Sequence, residues 1–458
     1  MNPPETNNAE FNRRDFLKGG SLATLVTMMG GVPLLADPAP EPKPEAKPAD
    51  GPKLKVAEIG LGQWGREILD QLGRFPQVEI AAICDNYPAM LRRSSSKAPG
   101  AAQVEDYKAV LANKEIPAVI VATPSHQHKE IALAALAAGK HVYCEAPLAT
   151  TVEDAKVIAL TAKNTPAKIF QPGLQMRSHP QRHFILPFIR SGALGNSVMA
   201  RAQWHKKQSW RATSPNADRE KLLNWRLNQE TSTGLVGEIG IHQLDQAGWL
   251  MNNRPVAVTA FGSTTLWKDD DRSVADTVHL VVEYSRGVRL TYDATLANSF
   301  DADYEIYFGS NAAVMFRESK AWMFLEVDAP LGGWEVYARK DKFYNETGIV
   351  LMAGASLQKN MADKAVEGAP DPFPPLYYAL QAFIGNCGEI DAAVEDFRSL
   401  YANADKKQLA ENLAGIKFNG LAANHKDGYA ATVLAIKANE AVVTGKRIEL
   451  KKEMFELV

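Results

Sequence analysis

The sequence predicts an α/β protein: a doubly wound parallel sheet, then an α+β domain with a large, mostly antiparallel sheet. Three observations lead there. Between Lys53 and Gln171, apolar runs of strand length alternate with segments of helical period. A glycine-rich turn follows the first of those runs directly. Beyond Pro172, strand-like runs succeed one another with helices before and after them, the pattern of one largely antiparallel layer.

The chain has 458 residues, more than one ordinary domain, and its 46% hydrophobic and 23% charged content is that of a folded protein with a real core. A formal net charge of -2 gives no electrostatic footprint for nucleic acid or another polyanion. The three cysteines are too few and too scattered for a disulfide framework or a zinc site; Cys84 and Cys144 fall in apolar runs and read as buried free thiols. The nine histidines include no H-E-x-x-H and no pairing with cysteine, so no metal site is expected.

Residues 1–36 differ from the rest. The run Asn12-Arg13-Arg14-Asp15-Phe16-Leu17-Lys18 resembles the twin-arginine export motif, and the apolar stretch Gly19–Ala36 follows it. Basic, apolar, then polar is the layout of a bacterial signal peptide. A disordered basic tail and an uncleaved anchor are the alternatives. Residues 37–52, rich in proline, read as a stiff linker. The expected location is therefore the periplasm or another exported compartment.

Residues 53–171 form the first globular unit. Lys55–Ile59 is a strand, and Gly60-Leu61-Gly62-Gln63-Trp64-Gly65 follows it. Ile68, Leu69, Leu72 and Phe75 then mark one helix face, and Val78–Ile83 is a second strand closing on Cys84-Asp85. G-x-G-x-x-G in that strand–turn–helix–strand setting is the dinucleotide fingerprint of a Rossmann domain. Gly60 permits the tight turn, Gly62 lets backbone approach a pyrophosphate, and Gly65 allows close helix–strand packing. The helix N-terminus offers unpaired N–H groups to phosphate. Asp85 accepts from ribose hydroxyls and repels a 2′-phosphate, favouring NAD over NADP, although Arg92 and Arg93 lie close downstream. The alternative is a glycine turn in a similar domain without nucleotide. Outside the cytoplasm no free NAD pool is expected, so an exported protein would keep its cofactor bound and restore its redox state in each turnover.

Ala118–Ala122 is a further strand, leading into Thr123-Pro124-Ser125-His126-Gln127-His128 and an Ala/Leu helix; His141–Cys144 then runs into Glu145-Ala146-Pro147. Loops at the carboxyl ends of parallel strands are where such sheets bind ligands. Thr151 reads as the cap of the next helix.

The run TPSHQHKEIALAALAAGKHVYCEAPLA resembles the glucose–fructose oxidoreductase/inositol dehydrogenase (Gfo/Idh/MocA) family, whose usual text ends in E-K-P. The second motif of that family appears as Gly234-Leu235-Val236-Gly237-Glu238-Ile239-Gly240-Ile241-His242-Gln243-Leu244-Asp245. The resemblance implies that Thr123, Pro124 and His128 lie against the nicotinamide side of the cofactor, with Glu145 and Pro147 beside it; Gln63 and Trp64 join the glycines of the turn. Two departures bear on mechanism. Ala146 stands where the family has a lysine that serves the proton of the oxidised hydroxyl, and Glu238 stands where it commonly has aspartate. His242 keeps its place as candidate general base, with imidazole tuned nearest to neutral pH and Glu238 to orient it. Glu238, His242 and Asp245 at i, i+4 and i+7 share one face of a helix, or form no more than a polar face packed on a sheet.

Residues 172–458 form the second unit. Strand-like runs are Val198–His205, Val256–Phe261, Thr277–Tyr284, Val288–Ala294, Tyr304–Phe308, Trp322–Val327 and Trp334–Ala338, and Ala430–Val443 is a closing helix. In the resembled family the sheet is open-faced, covers the active site on one side and often joins subunits on the other, which implies a homo-oligomer. Gln175 and Arg177 match a polar, substrate-facing pair of the family, and Asp245 joins them as a substrate contact. Trp204, His205, Trp210, Trp225 and Arg226 form an aromatic and basic cluster in sequence; the tryptophans fit a sugar ring or the core equally well.

Three functions follow from the resemblance and from Ala146. The first is an exported, NAD-retaining oxidoreductase of a sugar or polyol hydroxyl. The second is a redox-neutral, NAD-dependent glycosidase: transient oxidation, elimination, water addition and re-reduction. The third is a carbohydrate or cofactor sensor without chemistry.

Overall fold

The computed structural model describes residues 53–317, 320–330, 340–343, 346–351, 373–401 and 405–457. The expected signal peptide and linker, and the expected strand Trp334–Ala338, lie outside the described residues.

The first sheet is fully parallel. Its strands are β1 (Leu54–Ile59), β2 (Val78–Cys84), β3 (Ala102–Val104), β4 (Ala118–Val121), β5 (His141–Cys144) and β6 (Phe170–Pro172), in the order β3-β2-β1-β4-β5-β6. The order reverses between β1 and β4, which opens a crevice at the carboxyl ends of those two strands. Val56, Ile120 and Tyr143 face one buried layer, and Ala57, Val119, Val121 and Val142 the other. Such two-sided burial explains the near-continuous apolar runs read from the sequence.

The helix Pro375–Leu400 had no counterpart among the sequence expectations, yet it completes this sheet. Leu376, Ala379, Leu380 and Phe383 enter the same layer as Ile68 and Leu69. Gln171 donates to the Ala379 carbonyl at 2.8 Å, and Asp391 takes hydrogen bonds from His141 and Lys168 at 3.0 and 2.8 Å. The helix His425–Thr444, capped by Asn424, starts earlier than Ala430 because Asn424 and Asp427 form a reciprocal capping box. Its Tyr429 and Val433 pack on the Rossmann layer, while Leu434 and Ala438 pack on the second sheet.

The second sheet has ten strands. They are β7 (Ser197–His205), β8 (Pro255–Ser263), β9 (Thr277–Tyr284), β10 (Arg289–Thr295), β11 (Asp303–Gly309), β12 (Ala312–Arg317), β13 (Lys320–Leu325), β14 (Lys340–Phe343), β15 (Glu346–Val350) and β16 (Ile448–Glu449). The order is β14-β15-β13-β12-β11-β7-β10-β9-β8-β16, and among the described residues only β7 with β10 pairs in parallel. The sheet is thus mostly antiparallel, as the alternation predicts. Ala200, Ala202, Leu280, Val282, Leu290 and Tyr292 point into its buried face, where Leu244, Ala247 and Leu250 of the helix Ile241–Met251 cover them. On β7, Ala200 and Ala202 are buried but Val198, expected on that face, is 54% exposed, beyond the cover of the helix.

Candidate active site

Gly60 closes β1 with φ of +101°, a conformation that L side chains rarely adopt, and a Cβ there would lie 2.7 Å from the Ala122 carbonyl. A Cβ on Gly65 would overlap the Gly60 carbonyl oxygen. Gly62 is different: nothing lies within 4 Å of the place its Cβ would take. It precedes the helix Gln63–Leu72, whose N-terminus has no side-chain cap. The result is a set of unpaired N–H groups under open space, which suits an anion. Asp85 accepts from the Leu61 and Tyr87 backbone N–H groups at 2.9 and 2.8 Å, so its carboxylate is fixed against the glycine turn. These residues fit a dinucleotide: phosphate over Gly62, ribose beside Asp85. Arg92 and Arg93 lie in the last turn of the short helix Pro88–Ser94.

At the ends of β4 and β5 the site is made from distant segments. His128 is buried, with Nδ1 2.9 Å from the Pro147 carbonyl and Nε2 2.9 Å from the Thr123 carbonyl. Burial favours the neutral ring, whose single N–H donates to one of the two carbonyls, and His128 thus sits between the Thr123-Pro124 and Glu145-Pro147 loops. Ser125 donates to Glu238 Oε2 at 2.8 Å. Glu238 Oε1 accepts from the Thr233 N–H and hydroxyl at 3.0 and 2.9 Å and from Ser232 at 3.3 Å.

The expected Glu238–His242 partnership does not form. Residues Val236–Gly240 make a turn of π-helix before the α-helix Ile241–Met251 begins. The wider turn removes the simple i, i+4 stacking that the spacing predicts. Glu238 instead locks Ser125 to the Ser232-Thr233 loop. His242 Nδ1 is buried without a hydrogen-bond partner among the described residues. Burial pushes the imidazole pKa down to about 4, so the ring is neutral at neutral pH and is not tuned near 7 as the sequence suggested.

Arg177 and Asp245 also meet, but each other. Arg177 lies in the turn Gln175–Ser178, where Gln175 is half-buried. Its Nε and Nη2 donate to the two Asp245 oxygens at 2.9 and 2.7 Å, Nη1 donates to Asp427 at 3.0 Å, and Trp249 lies 5.1 Å from the guanidinium carbon. Burial works against the Arg177 charge, but Asp245 and Asp427 outweigh it and hold its pKa above the usual value. Arg177 therefore joins the β6 turn to two helices, through carboxylate partners that the spacing of the sequence does not show.

Glu58, Gly173 and Arg226 are not among the site residues that the sequence singles out, and Glu145, which is, proves to be a buried acid. Glu58 is fully buried mid-strand, both oxygens lack hydrogen-bond partners among the described residues, and burial, then the charge of Glu145, raise its pKa well above the carboxylate range. Burial raises Glu145 to about 7, with Trp64, the Ala146 backbone and Tyr143 drawing it part of the way back. Gly173 makes the room for it: a Cβ there would overlap the Glu145 carboxylate. An acid inside the apolar run Lys55–Ile59 was the available signal for Glu58. Arg226 is the third such residue. Desolvation lowers its pKa against the charges of Glu238 and Glu145, and Trp225 and Trp210 lie 4.9 and 5.7 Å from it. Ala146 packs against Leu174, Ile241, Ala423, Ala431 and Ala435, an apolar lining where a lysine would lose its hydration.

Two family models match: the oxidoreductase family with NAD-binding Rossmann fold over residues 54–173, and the GFO/IDH/MocA C-terminal domain over residues 187–314. The chain belongs to the Gfo/Idh/MocA family. Its first domain is an NAD-binding Rossmann domain. Among curated relatives, a levoglucosan dehydrogenase of Pseudarthrobacter phenanthrenivorans is 33% identical over 149 residues, covering 32% of this chain and 36% of the relative. A glycosyl hydrolase family 109 protein of Shewanella pealeana is 29% identical over 233 residues, covering 47% and 50%. The chain thus spans between about a third and half of the length of these two relatives. A levoglucosan dehydrogenase solved with NADH has a TM-score of 0.62 at 19% identity, over 87% of this chain and 99% of that one, a likeness of fold.

Proposed function

We propose that the protein is an NAD-dependent oxidoreductase that moves a hydride between bound NAD and a CH–OH group of a sugar or polyol. The observation that carries the reading is the open, uncapped helix N-terminus at Gly62 beside the fixed carboxylate of Asp85. The bound dinucleotide supplies the hydride acceptor. His242, neutral and with Nδ1 unpaired, takes the hydroxyl proton. Arg226, whose charge Glu238 and Glu145 favour against its burial, is the positive charge of the site in place of the lysine that Ala146 replaces. Thr123, Pro124, Glu145 and Pro147 shape the floor under the nicotinamide, and Gln175 faces substrate.

Mass analysis and absorbance of the purified protein test this, before and after levoglucosan or myo-inositol is added. Bound dinucleotide and a rise at the NADH band are expected; neither bound cofactor nor any NADH affinity sinks the reading. The acid limb of kcat against pH identifies the base, at about 4 for His242 and about 7 for Glu145.

A second reading, a redox-neutral glycosidase, is favoured by one observation: Ala146 lies in an apolar cluster and carries no proton. A relative named as a family 109 glycosyl hydrolase supports it. Release of 4-nitrophenol from an aryl glycoside without net NADH, with solvent deuterium entering C2 of the sugar, would establish that cycle.

The twin-arginine pattern at Asn12–Lys18 supports export to the periplasm, and a resident cofactor follows from that location. Replacing Arg13 and Arg14 by lysine should keep the protein in the cytoplasmic fraction. The second sheet is the proposed subunit interface, to be read from the mass in solution.

A further inference from the structure

We propose that residues 206–233 form a strap across the dinucleotide groove, with Arg219 and Arg226 as its two contacts to the bound cofactor. The inference rests on the NAD-binding reading and adds what holds the cofactor in place. A dinucleotide in a doubly wound sheet lies across the carboxyl ends of the strands, with adenosine toward β2 and nicotinamide toward β4 and β5. The segment between β7 and the Val236–Gly240 turn touches both of those ends.

At the β2 end the contact is Arg219, on the short helix Ala217–Leu223. Its guanidinium carbon lies 4.2 Å from the Tyr87 ring centroid, Nη1 donates to Asn86 at 3.3 Å, and Nη2 is 3.9 Å from Asp85. Asp85 is the carboxylate already fixed against the glycine turn, so Arg219 stands where the adenosine ribose and its phosphate arrive. At the β4–β5 end, His126 Nδ1 lies 3.2 Å from the Thr231 carbonyl, and its ring centroid is 6.2 Å from that of Trp225. Arg226 feels Glu145 and Glu238 from the same place. In both arginines Nε is buried without a hydrogen-bond partner among the described residues. A buried guanidinium N–H without an acceptor is costly, and an anionic ligand alongside would satisfy it.

The strap is fastened outside the groove as well. Arg211 pairs with Glu220 at 2.7 Å, Asn224 accepts from the Ala212 N–H at 2.8 Å, and the Leu227 carbonyl accepts from the Ser273 N–H at 2.9 Å. It is therefore an anchored span that carries two arginines, each with a buried and unpartnered Nε among the described residues, near opposite ends of one groove. A cofactor beneath it should leave slowly, because both ends must be released.

The test is the rate at which NADH leaves the full-length protein, followed by its fluorescence after a chase with excess NAD. Arg219→Ala and Arg226→Ala should each release NADH about tenfold faster, the loss of one charged hydrogen bond. The double variant should exceed both, and the lysine variants should fall between. Lys221→Ala, at an exposed position of the same helix, should match wild type. Rates within twofold of wild type in both alanine variants overturn the strap. A second readout needs no variant: bound NADH should slow tryptic cleavage at Lys221, and equal cleavage with and without NADH overturns it too. Wild type that binds no NADH sinks the strap and the NAD reading together, whereas binding with unchanged release sinks the strap alone.

Discussion

At the β2 end of the groove, one run of the chain from Leu54 to Asp85 supplies the turn, the helix N-terminus and the ribose carboxylate. At the β5 end, the loops at 123–128 and 145–147, the turn at 173–177 and the segment at 224–242 must come together before any site exists. The first is a local device, complete when one β–turn–helix–β unit forms. The second is assembled by long-range bonds such as Ser125 to Glu238. The difference teaches where substitutions should damage the fold and where they should damage only the site.

Gly65 is the most severe test on the local side. A Cβ there would overlap the Gly60 carbonyl oxygen, and neither backbone can yield without opening the helix from β1. Gly65→Val should therefore abolish both NADH binding and the cooperative melt of the Rossmann layer. A variant with wild-type Tm would mean that the turn is not the rigid part. On the assembled side the largest effect belongs to Arg177→Ala. It strands Asp245, only 4% exposed, without its bidentate partner. Breaking a buried pair in this way costs about 3–5 kcal/mol. Thermal or urea melts should show that loss, and a variant that keeps its stability but loses substrate affinity would return Arg177 to the role of substrate contact.

Gly62→Ala separates site from fold within the local device. Its Cβ meets nothing within 4 Å, so the protein should fold with unchanged Tm. The methyl would nevertheless stand where phosphate approaches, and NADH affinity should fall about a hundredfold, roughly 2.7 kcal/mol, by titration. Equal affinity would place the phosphates elsewhere along the groove.

The same division governs what could be read from the sequence. Gly60, Gly62, Gly65 and Asp85 are few, close together and each tied to one backbone requirement, so their roles follow from spacing. The two sheets were readable because period 2 and two-sided burial leave plain marks on composition. The π-turn at Val236–Gly240 leaves none, and it separates Glu238 from His242 despite ideal helical spacing. The ion pairs of Arg177 are not legible in the sequence because Asp427, one of its two carboxylate partners, lies 250 residues away. Arg226 was visible only as a basic residue between aromatics, since Glu145 and Glu238 reach it through the fold alone. The helix Pro375–Leu400 is likewise a partner of the Rossmann layer by tertiary packing, not by proximity in the chain.

The smallest expected effect is also the one that asks whether the two ends communicate. Glu58, under the glycine turn, and Glu145, at the end of β5, are buried acids whose pKa values are both raised, Glu145 to about 7 from an ordinary 4.5. The folded state holds these protons more tightly than the unfolded chain. The contribution of Glu145 to stability is complete below about pH 4.5 and is lost as pH rises through about 7, and that of Glu58 is lost in the same direction, as pH rises above the carboxylate range. His242 has the opposite sign: its folded pKa of about 4 lies below the ordinary 6.5, so its contribution is present above 6.5 and lost as pH falls toward 4. Between those limits the two trends oppose, and above pH 6.5 only the carboxyls still act. Glu58→Gln keeps the shape and removes the charge. The cofactor-free variant should melt within a degree of wild type at pH 5 and a few degrees higher at pH 8.5. A variant that melts lower at pH 8.5 would show that the Glu58 charge is paired in the folded protein, and that the acids beneath the two ends do not share one electrostatic load.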